Sequence, residues 1–221
     1  MGKATFSTLA ASVEPLVQST LELRGGLPLP AREVTLDVGG MTLVGHLRHR
    51  HERGLAITHF GRLSAKHLLE LWVLHLVATA IDPDAAHEAV VIARASAEDD
   101  GAAAVVRFAP VVDPRPILAD LAALYRDASS EPVLLFPKAS FAYYERLEET
   151  GDPDAALGAA RSVFGSNAGG DGKEPAVQRI FGDHDPLAPG YSLFERPMAG
   201  GDFAALAVRV FGPIFAHRRS R

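Results

Sequence analysis

With 221 residues, 48% of them hydrophobic and 22% charged, the chain lies in the range of globular proteins that bury a core, which excludes an intrinsically disordered chain. Its 22 basic and 27 acidic residues leave a formal charge of -5, so the summed field does not draw the whole molecule to nucleic acid and any such contact must be local. The absence of cysteine removes disulfides, thiolate metal sites and cysteine nucleophiles.

From Phe6 to Leu23 the apolar positions Leu9, Val13, Leu16, Val17, Leu21 and Leu23 follow helical spacing, with Pro15 as an internal irregularity and Gly25-Gly26 as the stop. In VTLDVGGMTLVGHL, Val34, Leu36 and Val38 alternate with polar residues and Gly39-Gly40 sits where a tight turn needs positive φ, which predicts a β-hairpin. GLAITHF follows the polar turn RHRHERG as a third strand, giving an antiparallel meander. A long helix is expected from Ser64, a suitable N-cap, to Thr79. Leu68, Leu69, Leu71, Trp72, Val73, Leu74, Leu76 and Val77 ring almost its whole circumference and predict burial between layers.

AVVIARA and AVVRFAP then read as paired strands joined by a turn at EDDGAA. Asp113 is a candidate cap for a helix bearing Ile117, Leu118, Leu121 and Leu124. PVLLFP is a short apolar segment between prolines, followed by helices in SFAYYERLEE and DPDAALGAARSVFG. The glycine-rich GSNAGGDGKEP reads as a mobile loop. A closing amphipathic helix, GDFAALAVRVFGPIFAHRR, carries terminal cations suited to the negative end of its dipole. No repeat period is apparent, and one mixed α/β domain over residues 1–221 is expected.

The helix, meander and apolar helix resemble the core of the PD-(D/E)XK nuclease superfamily, a restriction-endonuclease-like fold in which a G-x-x-D step precedes D/E-x-K on the next strand. There the carboxylates hold divalent metal and the lysine assists the attacking water. In this sequence GHLR puts Arg48 at the aspartate position, and THF puts Thr58 and Phe60 at those of the acid and the lysine. A guanidinium would repel the ion, and phenylalanine cannot donate to water.

Within that group, GLAITHFGRLSAKHLLELWVLHLVATA, PVLLFPKASFAYYERL, VQRIF and FAALAVRVFGPIF are together similar to the C-terminal domain of the exodeoxyribonuclease V gamma subunit, RecC, from about residue 30 onward. The resemblance implies a nuclease-like domain that has lost catalysis and serves as a scaffold and DNA-path module in a RecBCD-type helicase-nuclease of double-strand break repair and recombination. Beta and alpha subunits would be its partners, and no catalytic residue, cofactor or metal is implied. Since the family protein is several times longer, with helicase-like domains upstream, the chain is expected to be part of a longer subunit.

The run HLRHRHERG supplies Arg48, Arg50 and Arg53, which with Arg62 and Lys66 are the candidate DNA contacts; the competing reading is a solvated turn with no partner. His67 and Glu70 are three apart on a helix, and His184 lies between Asp183 and Asp185, but the first lacks a second motif and the second reads equally as a capped turn. Asn167 and Glu174 stand where a phosphate loop needs glycine and a hydroxyl, and Pro175 is expected to impede an orderly helix entry there. No G-x-S-x-G elbow occurs. The alternatives are a metal-dependent hydrolase built on Asp183, His184 and Asp185, or a protein-binding adaptor unrelated to DNA. The composition, lacking both a secretory signal and an apolar run of ~18 residues, leads to the expectation of a cytoplasmic protein.

Overall fold

The computed structural model describes residues 2–83, 88–95, 103–193 and 196–219. In chain order the elements are α1 (Gly2–Leu23), β1 (Arg32–Val38), β2 (Met41–Leu47), β3 (Arg50–His51), β4 (Gly54–Arg62), α2 (Ala65–Ile81), β5 (Glu88–Arg94), β6 (Ala103–Phe108) and α3 (Pro114–Ala128). They continue with α4 (Pro137–Thr150), α5 (Pro153–Phe164), a 3-10 turn (Asp171–Lys173), α6 (Pro175–Phe181), β7 (Ser192–Leu193), β8 (Arg196–Pro197), α7 (Phe203–His217) and β9 (Arg218–Arg219). These form two compact units, one of Met1–Ala119 with His217–Arg221, the other of Asp120–Ala216. The turn expected at EDDGAA falls, apart from Ala103, outside the described residues.

The first unit is α/β. Its five-stranded sheet runs β3-β4-β5-β6-β9, with β4 and β5 parallel and the other pairs antiparallel. The side-chain alternation of each strand assigns its faces. Ala56, Val90, Ile92 and Ala103 form a buried cluster with Leu16 of α1, against which Leu23 and Val105 pack. On the alternate face Phe108 meets Trp72 of α2 edge-on at 5.2 Å, and His59 stacks on His67 of α2 at 3.8 Å. β5 is therefore covered on both sides and reads as a continuous apolar run, as a central parallel strand must.

The expected three-stranded meander does not form. β1 and β2 pair through the Gly39-Gly40 turn, both residues at positive φ, but they make a two-stranded sheet of their own. The outer edge of β3 is taken instead by the segment after α1: Leu29 N–H donates to Arg50 O at 2.8 Å, and Pro28 bridges His51. The third strand, β4, belongs to the other sheet and takes a parallel neighbour through α2.

α2 starts as its sequence requires, with the Ser64 side chain accepting from His67 N–H at 3.4 Å. Its circumference is less fully covered than expected, because Lys66, Glu70 and Val73 form an exposed stripe. On α1 the inward line is Leu16, Thr20 and Leu23, whereas Val17 and Leu21 are exposed. The closing helix stops at His217; Arg218 and Arg219 do not extend it but pair with Phe108 and Arg107 of β6.

The second unit is mainly helical. Phe136 is packed by Phe164, Phe181 and Phe203 at 5.0, 5.6 and 6.3 Å between ring centroids. Arg209 clamps Asp120 with Nε and Nη2 at 2.9 and 2.7 Å. α4, α5 and α6 open on prolines, whose fixed φ and missing N–H suit a first helical turn. Pro175 therefore begins a helix rather than impeding one. Nor is the glycine-rich loop loose. Lys138 Nζ donates to Gly169 O, and buried Asp171 accepts from Ala139 N–H of α4 at 2.9 Å. A Cβ on Gly170 would meet Phe164 O at 2.4 Å, so close backbone approach explains that glycine.

Candidate functional site

Ligands of open α/β sheets gather at the carboxyl ends of parallel strands. In the first unit that place is the end of β4 and β5, where four of the positions that the sequence singles out lie, Thr58, Phe60, Arg62 and, at the start of α2, Lys66. Thr58 faces α1, its hydroxyl 2.8 Å from that of Thr20. Phe60 is 47% exposed, and the Arg94 guanidinium lies 5.4 Å from the centre of its ring, a cation–π distance. The ladder of β4 and β5 shifts register between His59 and Arg62, where Arg62 comes opposite Arg94. Arg62 and Lys66 are exposed, and neither side chain has a hydrogen-bond or ion-pair partner among the described residues.

Arg48 is exposed just after β2. The next residue, His49, adopts φ 58° and its carbonyl accepts from Ala56 N–H at 3.0 Å. The chain just after Arg48 thus runs beside the first half of β4. Arg50 donates to Pro30 O at 2.9 Å and so has a structural partner. Arg53 lies in the turn that opens β4 and is nine residues from Arg62, or roughly 30 Å along the strand. The five candidate cations are therefore not one patch: Arg62 and Lys66 share the strand end with Phe60 and Arg94, while Arg50 and Arg53 stand at the strand start.

Arg94 was not among the sequence candidates, since AVVIARA reads as a buried apolar strand. The signal was its place as the one charged residue within that run. His59 was missed as well. It lies between Thr58 and Phe60 but points to the other face, with Nε2 3.5 Å from a Glu70 carboxylate oxygen. Burial, and then the adjacent His59 ring, hold the His67 imidazole below its usual pKa, with Glu70 acting in the opposite sense.

Asp185, of the alternative acid cluster, is held in place: one oxygen accepts from Leu187 N–H at 3.1 Å and the other from Arg161 at 2.7 and 3.1 Å. It is an Asx turn tied to a helix. Among the described residues, no group of three or more His, Asp or Glu side chains is placed to hold a metal ion.

A family model described as the RecC C-terminal domain matches residues 1–148, which include the whole β4-α2-β5 unit. The chain belongs to that family. The RecBCD enzyme subunit RecC from two strains of Mycobacterium tuberculosis is 29% identical over 196 residues in each case. The matched segment covers 84% of this chain and 17% of either relative. The chain therefore spans a small part of the length of the RecC proteins it matches. No helix among the described residues is long and apolar enough to cross a membrane.

Proposed function

We propose that this RecC-family domain is a non-catalytic scaffold and DNA-path element of an exodeoxyribonuclease V (RecBCD-type) helicase-nuclease, acting in the cytoplasm on broken DNA ends with beta and alpha subunits as its partners. The observation that carries this reading is the chemistry at the end of β4. Where a PD-(D/E)XK nuclease needs an acid and a lysine, the chain has Thr58 engaged with Thr20 and Phe60 beneath Arg94. A half-exposed aromatic ring among unpaired cations suits a single strand, whose bases stack on aromatic faces while its phosphates meet Arg and Lys. The β4-α2-β5 unit with a helix on each sheet face supports descent from a restriction-endonuclease-like core.

Two measurements test this. Pull-down with beta and alpha subunits of an exodeoxyribonuclease V complex is expected to retain the chain, and binding to neither would remove the scaffold role. Anisotropy titration with a single-stranded oligonucleotide is expected to show Phe60→Ala losing about 1–3 kcal/mol of binding. Unchanged affinity in that variant would remove the strand end from the DNA path.

A further inference from the structure

At the opposite, amino-terminal end of β4 and β5 the first unit contains a cavity of ≈ 210 Å³ whose lining includes Glu22, Arg24, Gly25, Arg53, Glu88 and Arg107. These residues come from α1 and its exit, the turn before β4, the start of β5 and the end of β6. Glycines allow the convergence. Gly25 has φ +70°, and a Cβ there would come 2.9 Å from Arg53 Cβ; Gly54 has φ +151°, and a Cβ there would come 1.9 Å from Glu88 O. The Arg53 backbone is fixed as well, its N–H donating to Gly25 O at 3.0 Å.

The charges in this cavity are unequally satisfied. Glu88 accepts from Arg219 at 3.0 Å, and Glu22 accepts from Gln18 at 2.7 Å. The guanidinium groups of Arg24, Arg53 and Arg107 have no hydrogen-bond or ion-pair partner among the described residues. Once the Glu88–Arg219 pair cancels, positive charge is in excess, on groups whose planar fork matches a tetrahedral oxyanion. A chain with a net charge of -5 holds three arginines around one hollow against its overall field.

We infer that this cavity is a phosphate-binding site, taking a phosphate group through Arg24, Arg53 and Arg107. It is separate from the strand end bearing Phe60 and does not depend on that reading. Inorganic phosphate and a single-stranded oligonucleotide are the two probes, titrated separately into the 221-residue chain at constant low ionic strength while the arginine Nε–H NMR signals are followed. Arg24, Arg53 and Arg107 signals should shift in a saturable way, and Arg53→Ala and Arg107→Ala should each weaken binding about tenfold. Arg53→Lys and Arg107→Lys retain the charge and the stem and should lose less, whereas Arg62→Ala and Phe60→Ala should leave phosphate binding unchanged.

A response to both probes, with phosphate displacing the oligonucleotide from these arginines, assigns the site to phosphate from either source. A response to the oligonucleotide alone assigns it to the phosphodiester of a strand. The inference is overturned if neither probe moves the three signals, or if alanine variants that melt like the parent bind both probes with parent affinity.

Discussion

In the proposed reading Thr58 and Phe60 stand where a nuclease would hold an acid and a lysine, and they differ from those residue types in more than charge. The hydroxyl of Thr58 is shared with Thr20 of α1, and the ring of Phe60 carries Arg94 on its face, so each side chain has a partner within the first unit. Trp72 of α2 shows what a single residue contributes to the core. It is fully buried and packs on Phe108 and His217 at 5.2 and 5.3 Å, yet its Nε1–H has no acceptor among the described residues. Trp72→Ala should cost about 3–5 kcal/mol in urea unfolding. Trp72→Phe should cost much less, since it removes an unsatisfied donor along with part of the ring; equal losses in the two variants would contradict this.

His67 sets a pH dependence of definite sign. Its folded pKa lies below the usual 6.5 because burial and the His59 ring disfavour the cation. Below 6.5 the unfolded chain therefore takes up this proton more readily than the folded chain does. The stabilisation is complete above that pH and is lost as pH falls from 6.5 through the lower, folded value. Urea midpoints measured from pH 7.5 to 5 should decrease, and His67→Gln should flatten the decrease. A variant with the parent slope would assign the effect to other groups.

At the level of elements, local signals were legible wherever neighbouring residues decide the structure. The Gly39-Gly40 hairpin, the Ser64 cap and the pairing of β5 with β6 all follow from the sequence and are present. What the sequence did not show is which edges meet. Nothing within HLRHRHERG indicates that Pro28 and Leu29 occupy the edge of β3, so β1 and β2 become a separate ribbon. The strand end was half legible for the same reason: Arg62 and Lys66 follow Phe60 in sequence, but Arg94 joins them only through the parallel pairing of β4 with β5.

The glycine-rich segment after α5 is the other case in which tertiary contact overrides composition. Asp171 is 3% exposed and accepts from Ala139 N–H in the first turn of α4, where helix N–H groups lack intrahelical partners. Asp171→Ala should cost about 1–3 kcal/mol by chemical unfolding, with much of it restored in Asp171→Asn, which retains an acceptor. A neutral Asp171→Ala variant would indicate that the segment is not anchored there.

Across the whole molecule, a net charge of -5 confines any nucleic-acid contact to places where cations gather locally. Among the described residues the first unit has two such places, at opposite ends of β4. Membership of the RecC C-terminal family rests on a match that includes all of β4, α2 and β5. The functional proposal rests on residue types at one strand end, and it is there that it is most exposed to test. Incubation of the purified chain with linear DNA and Mg²⁺ or Mn²⁺ should yield no cleavage above buffer, because Arg48, Thr58 and Phe60 cannot supply the ligands and proton donor of metal-dependent hydrolysis. Robust metal-dependent cleavage that disappears when carboxylates near the strand end, such as Glu70, are replaced would contradict the non-catalytic assignment.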